Sequence, residues 1–317
     1  MKNIRIGIPR ALLYYSYACF WKAFFEKLGF ETIVSPETTA GILKDGIRRS
    51  VSDLCLPVKT FMGHIDCLKD SVDYLFIPRY VSVEQDSYMC PKIIGLPDMT
   101  KACFRRLPSV IDPLMHMKKE GEKAFLSFSR QIADALLLNR KEVEEAIPNT
   151  ADAVTGFPDR PNISSVPLFN KGKDDLFSDS RVNIGVIGRS YILFDKHISK
   201  NLFRTLSDLN ANPVYIHPSG DEIKEAMTII PKWVYWNMGK EVVASAHYFF
   251  KNPDIDGVIN VCSAACGPDS FTGDLIRKRL NQRDKPFMSL SIDEHSSDAG
   301  IHTRVEAFID MLGKMTV

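Results

Sequence analysis

Short apolar runs alternate with amphipathic stretches along this chain, in the rhythm of β-α-β units. Residues 4–9 read as a first strand, and residues 14–27 are apolar enough on one side for a helix packed on a sheet, with Gly29 as its stop. Residues 30–35 read as the next strand, and a strand-helix-strand opening predicts a parallel sheet. Residues 42–51 and 60–70 read as helices, 72–77 as a strand, 92–97 as another short strand, and 98–147 as mainly helical. Residues 149–179 are rich in Pro, Asn, Ser, Asp and Gly with poor periodicity, which marks a linker or crossover.

The pattern then starts again. Ile184-Gly185-Val186-Ile187-Gly188-Arg189 repeats the character of Ile6-Gly7-Ile8-Pro9-Arg10, a helix follows over 201–210, and Tyr215-Ile216-His217-Pro218 matches Ile33-Val34-Ser35-Pro36. Val72-Asp73-Tyr74-Leu75 has its counterpart in Ile255-Asp256-Gly257-Val258. The apolar run from Val258 is broken by Cys266-Gly267-Pro268, where Asp269 or Ser270 could cap a helix over 271–280. Both halves close with a short strand, 93–96 and 287–292. The expected fold class is α/β, with two flavodoxin-like or Rossmann-like parallel-sheet domains and a cleft between them. Residues 1–150 would form the N-terminal domain with a helical extension, 151–180 the linker or crossover, and 181–317 the C-terminal domain. Ligands of such sheets bind at the carboxyl ends of the strands.

Composition narrows the picture. At 317 residues and 45% hydrophobic content the chain can bury a substantial core, and a net charge of +1 with interspersed signs argues against nucleic acid and anionic membranes as partners. The N-terminus runs straight into a strand pattern, and no apolar run approaches the roughly 20 residues that span a bilayer, so a soluble cytoplasmic protein is expected. In that compartment seven cysteines read as reduced thiols or metal ligands rather than disulfide staples.

Three of the seven share one setting. Cys55, Cys90 and Cys266 each stand in a short turn with proline one or two residues behind, in Cys55-Leu56-Pro57, Cys90-Pro91 and Cys266-Gly267-Pro268. Proline fixes the local backbone, which suits a rigid loop presenting a side chain. Cys19, Cys67 and Cys103 fall in predicted helices and read as core residues; Cys262 could pair with Cys266 on one metal but lies in an apolar strand and reads as core. Dense ferredoxin spacing and paired cysteine doublets for structural zinc are absent, so a shared site would be assembled by the fold from distant loops. Neither a Gly-x-Gly-x-x-Gly fingerprint nor a P-loop occurs. Glu294 and His295 follow the last strand and could serve as acid or base, or as an ordinary turn. Thiolates can carry an iron–sulfur cluster or zinc, and a two-domain protein closing on a small ligand with structural cysteines is the reading from another class.

The combination of Ile8-Pro9-Arg10-Ala11-Leu12, Cys55-Leu56-Pro57-Val58-Lys59, Cys90-Pro91-Lys92, Cys266-Gly267-Pro268-Asp269-Ser270 and Ile292-Asp293-Glu294-His295 resembles the DUF2229 group. Pro231-Lys232-Trp233 and Gly239-Lys240-Glu241 extend the resemblance through the second half. That group is related to the 2-hydroxyacyl-CoA dehydratase subunits and the double-cubane cluster proteins. The resemblance implies an oxygen-sensitive 4Fe-4S cluster on Cys55, Cys90 and Cys266, with one iron left for a non-protein ligand. A double-cubane 8Fe-9S cluster would want about six cysteine ligands, so a single cubane is favoured. It also implies ATP-gated, low-potential one-electron reduction of a small-molecule substrate in anaerobic metabolism. Whether the chain is itself the enzyme, a reductase or dehydratase-like component, or an electron-transfer relay is left open, as is homo- or hetero-oligomerisation. The electron would come from a separate ATP-hydrolysing iron–sulfur activator protein, because no phosphate-binding glycine loop is present in this chain.

Overall fold

The computed structural model describes residues 4–153, 177, 181–230, 234–280 and 285–315. Most of the expected linker, and Pro231-Lys232-Trp233, lie outside these residues. Internal contacts divide the chain into two units, Met1–Asn162 with Tyr235–Asn237, and Ile163–Val234 with Met238–Val317. Both are α/β with parallel sheets.

Unit 1 runs β1 (Arg5–Ile8), α1 (Tyr14–Lys27), β2 (Glu31–Val34), α2 (Ala40–Arg49), α3 (Leu56–Leu68), β3 (Tyr74–Phe76), β4 (Arg79–Ser82), α4 (Pro91–Ile94), α5 (Leu96–Cys103), β5 (Ser109–Ile111), β6 (Leu114–His116), α6 (Met117–Glu120), α7 (Lys123–Leu136) and α8 (Arg140–Ala153). Its main sheet has the order β2-β1-β3-β5, and β4 pairs separately with β6. Helix α1 buries Phe20, Trp21, Phe24 and Phe25; the Trp21 ring lies 4.9 Å from Phe76 of β3 and 5.2 Å from Phe128 of α7. Aromatic burial of this size dominates a core, and it clamps α1 between the sheet and α7. Helices α2 and α3 meet backbone to backbone. A Cβ on Gly46 would stand 1.9 Å from the Lys59 carbonyl oxygen and one on Gly63 2.0 Å from that of Ile42, so only glycine fits at either position.

One expectation fails here. Residues 92–97 are helical, because Pro91 and Pro97 each occupy the first turn of a helix, where their fixed φ and missing N–H cost nothing. The fourth strand of the main sheet is instead β5, in register with β3 through Tyr74↔Ser109 and Phe76↔Ile111. The chain from Asp98 to Ile147 is mainly helical, as expected, with the three-residue strands β5 and β6 set among the helices.

Unit 2 runs β7 (Asn183–Gly188), α9 (Ser190–Leu193), α10 (Leu202–Asp208), β8 (Asn212–Val214), α11 (Gly220–Ile229), α12 (Asn237–Lys251), β9 (Gly257–Ser263), α13 (Gly267–Leu275) with a π-helical continuation Ile276–Leu280, β10 (Phe287–Ile292) and α14 (Asp298–Met315). The sheet order is β10-β9-β7-β8. Numbered within each four-stranded sheet, both read second, first, third, fourth, so the internal repeat is a repeat of topology. Helix α13 begins at Gly267, earlier than expected, and neither Asp269 nor Ser270 caps it. Among the described residues no helix is long and apolar enough to cross a membrane.

Candidate functional site: cysteines at helix starts

In unit 1, Cys55 is the N-cap of α3 and Cys90 the N-cap of α4. Their backbones are nearly superposable, with φ and ψ of −67° and 152° at Cys55 and −65° and 146° at Cys90. Each carbonyl accepts from the first helical turn, Val58 N–H at 3.0 Å and Ile93 N–H at 2.9 Å. Proline in the first turn forces the helix to begin there, which leaves the cysteine side chain at the positive end of the helix. Neither thiol makes a capping hydrogen bond to its helix. Lys92 joins the two turns by donating from Nζ to the Asp53 carbonyl at 2.9 Å. Cys55 is buried and Cys90 half-buried.

The Cys90 turn is held from several sides. Met89 N–H donates to the Val81 carbonyl at 2.9 Å. Tyr88 forms a parallel bridge with Trp236, its N–H donating to Tyr235 at 2.8 Å and its carbonyl accepting from Asn237 at 3.0 Å. The Lys118 ammonium sits 4.7 Å from the Tyr88 ring centre. On the buried face of α3, His64 is enclosed between the Ser35 hydroxyl at 2.9 Å and the Thr38 hydroxyl at 3.0 Å. Burial, helped by repulsion from Arg10, pulls its pKa down to about 3, so the imidazole is neutral.

In unit 2, Cys266 is the N-cap of α13, with Pro268 in the first turn and Ser270 N–H donating to the Cys266 carbonyl at 3.0 Å. The turn before it contains Ala265 at φ +56°, a left-handed conformation that alanine adopts only at a cost. Asp269 accepts from Ser263 N–H at 3.1 Å with one oxygen and from Arg189 Nε with the other. Arg189 and Asp269 form a buried ion pair, their side chains 3% and 7% exposed. Burial works against the charged guanidinium, but the carboxylate of Asp269, then Tyr191 and Cys266, override it and raise the Arg189 pKa. Gly188 makes this possible, since a Cβ there would stand 2.6 Å from the Val261 carbonyl oxygen. The Nη2 atom of Arg189 is buried and has no hydrogen-bond partner among the described residues.

Glu294 and His295 occupy the turn after β10, half-buried and exposed respectively. Asp293 organises that turn, accepting from the Ser296 hydroxyl at 2.8 Å and from His295 N–H at 3.0 Å, and the Ser296 bond leads in holding its pKa below the usual carboxylate range. The turn lies beside the one after β9, where Ala264 N–H donates to the Ile292 carbonyl at 2.9 Å.

The other thiols divide. Cys19 and Cys103 are half-buried in helices, and burial raises the pKa of each. Cys262 lies in β9 within 3.6 Å of the Leu290 carbonyl, its thiol also raised chiefly by burial. Cys67 is a correction: it faces solvent on α3 and is not core.

Cys55 and Cys90 belong to unit 1 and Cys266 to unit 2. Among the described residues no three His, Cys, Asp or Glu side chains are gathered as a metal site. The chemistry of the donors nevertheless fits an iron–sulfur group, with thiols at three helix starts and a buried cationic nitrogen beside Cys266. Sequence reading missed Arg189, His64 and two buried lysines, Lys59 and Lys240. Lys59 is the fourth residue of α3 and Lys240 the fourth of α12, each in the helix that precedes the third strand of its unit. The available signal was a lysine as the fourth helical residue after a largely apolar start, Leu56-Pro57-Val58 in one case and Asn237-Met238-Gly239 in the other, both times inside a segment that carries the family resemblance.

Comparison with known proteins adds a family. The profile of the 2-hydroxyglutaryl-CoA dehydratase, D-component (HGD-D), matches residues 222–312. No curated protein matches. Among solved structures, the glycosyltransferase SnogD from Streptomyces nogalater aligns at 12% identity over 99% of this chain and 96% of its own, with a TM-score of 0.20, too low to carry an argument. The profile of the CoA enzyme activase uncharacterised domain (DUF2229) matches residues 5–217, two thirds of the chain, and the protein belongs to that family.

Proposed function

We propose that this chain is an iron–sulfur component of a system related to the 2-hydroxyacyl-CoA dehydratases and their activases, with Cys55, Cys90 and Cys266 as the ligands of one 4Fe-4S cluster. The observation that carries this is the recurrence of one local frame, a cysteine N-cap followed by proline in the first helical turn, at three distant points of the chain. The family descriptions, an activase domain and a dehydratase component, support it. When bound, such a cluster supplies one-electron transfer at low potential.

The chain's own residues do the rest. Helix starts place partial positive charge beside each thiolate and offset the negative charge that three sulfurs gather. The Lys92 bond to Asp53 keeps the Cys55 and Cys90 turns in register. Arg189 brings a buried positive charge to the Cys266 turn. Glu294 and His295, on the turn beside that of Cys266, are the acid and base candidates for a small substrate. The electron donor is proposed to be a separate ATP-hydrolysing iron–sulfur activator, and the compartment the cytoplasm.

Single replacement of Cys55, Cys90 or Cys266 by Ala, followed by anaerobic reconstitution, should remove most iron and sulfide, whereas Cys19→Ala and Cys103→Ala should leave both in place. A full cluster in Cys266→Ala protein overturns the assignment. Stoichiometric zinc in colourless protein would replace it with a zinc site on the same thiols.

A further inference from the structure

The turn that carries Cys266 stands where open parallel sheets take ligands. In unit 2 the chain passes from β7 to β8 on one side, then crosses back over β7 to β9 and β10 on the other. The direction of winding therefore reverses between β7 and β9. At such a reversal the connections leave on opposite faces and open a crevice at the carboxyl ends of the two strands. Gly188 ends β7 with Arg189 next in the chain, and Ser263 ends β9 ahead of the Cys266 turn.

What lies at that crevice is a donor without an acceptor. Arg189 is 4% exposed, and its Nε is committed to Asp269, yet Nη2 is buried with no partner among the described residues. Asp269 is the third residue of α13 and is itself fixed by Ser263 N–H, so the guanidinium is held against the first turn of a nine-residue helix. The leading N–H groups of a helix have no intrahelical acceptor, and its dipole favours negative charge there. A buried charged donor left unmet is costly, and native structures rarely keep one without use. Switch point, helix start and unmet guanidinium nitrogen are separate features of the fold, and they coincide.

We propose that Arg189 and the first turn of α13 form an oxyanion subsite, in which a carboxylate or phosphate group of a small ligand accepts from Arg189 Nη2 beside Cys266. Asp269 is the positioning residue that turns the guanidinium into the crevice. The subsite belongs to unit 2 alone and does not depend on a cluster.

The test uses full-length, metal-free protein. Alkylation of Cys266 by iodoacetamide is followed by peptide mass spectrometry at fixed pH and ionic strength, with potassium chloride exchanged for phosphate in one arm and acetate in the other. Saturable slowing at Cys266, with the exposed Cys67 unaffected, is the expected result; the arm that acts at lower concentration tells phosphate from carboxylate. Arg189→Met should abolish the protection. Arg189→Lys, which keeps the charge and loses the planar fork, should raise the half-protecting concentration about tenfold. Arg10→Met, at the matching position of unit 1, should leave it unchanged. Should Arg189→Met fail to fold by circular dichroism, the Arg189→Lys series decides. Absence of saturable protection in the wild type, or protection unchanged in Arg189→Lys, overturns the proposal. Cluster content after reconstitution is read separately, so failure of this subsite and failure of the cluster assignment are distinguishable.

Discussion

The two units reach the same strand order and then furnish the same place in opposite ways. At the carboxyl ends of β1 and β3 in unit 1 there is an apolar cavity of about 50 Å³, walled by residues that include Ile8, Pro9, Tyr17, Trp21, Phe76 and Tyr80. At the carboxyl ends of β7 and β9 in unit 2 there is a buried ion pair. Each first strand is followed by an arginine one residue beyond a backbone-restricting or backbone-freeing residue, Pro9-Arg10 and Gly188-Arg189. Arg10 is only half-buried, donates to the Ser35 carbonyl at 3.1 Å, and lies over the Tyr14 ring at 5.4 Å. Arg189 turns inward because Gly188 lets β7 close on Val261 and because an acid waits three residues after Cys266. Three residues after Cys90 stands Ile93, which cannot receive a guanidinium. Topology is therefore shared, while two residue choices decide whether the switch point is apolar or charged.

The sharpest way to break the comparison is to remove the acid. Asp269→Asn should leave a buried guanidinium unpaired and destabilise unit 2 by about 4 kcal/mol, whereas Arg10→Met in unit 1 should cost less than about 1 kcal/mol. Urea denaturation followed by hydrogen exchange, peptide by peptide, assigns each loss to its unit; equal losses for both variants would refute the asymmetry.

Acid should separate the units next. His64 is the ninth residue of α3, and its counterpart, the ninth of α12, is Ser245. Folded His64 has a pKa lowered by burial to about 3 from 6.5. The unfolded chain thus binds the extra proton first, and stability present above pH 6.5 drains away as pH falls towards 3, roughly 3 kcal/mol of it by pH 4. Exchange protection in unit 1 should fall over this window, and His64→Gln should flatten the dependence. A steep slope that survives His64→Gln would assign the acid sensitivity elsewhere.

The smallest effect concerns the cavity wall. Trp21 Nε1–H donates to the buried Tyr80 hydroxyl at 2.9 Å, and burial first, then Tyr17, raises the Tyr80 pKa so that the phenol stays neutral. Tyr80→Phe should leave the indole N–H unmet and cost about 1 kcal/mol, with a change in tryptophan fluorescence and no change in unit 2. An unaltered melting curve would mean that the cavity already supplies the indole with another acceptor.

Much of this architecture is local and could be read from the chain. Helix α1 spans Tyr14–Lys27 and β10 spans Phe287–Ile292, as their apolar patterns predict, because both are long enough to show a period. The cysteine turns were legible for the same reason, since proline acts on its own neighbourhood. Strand β5 was not, because Ser-Val-Ile is too short to carry alternation and becomes a strand only by pairing with β3. Nor could sequence reveal that Arg189 meets Asp269 across 80 residues, that His64 is sealed between two hydroxyls, or that Arg10 stays half-buried while Arg189 is buried. Periodicity and turn chemistry act over a few neighbouring residues and are written in them. Burial, and with it the charge state of every group it encloses, is a property of what the rest of the chain packs against, and it exists only once the sheets have closed.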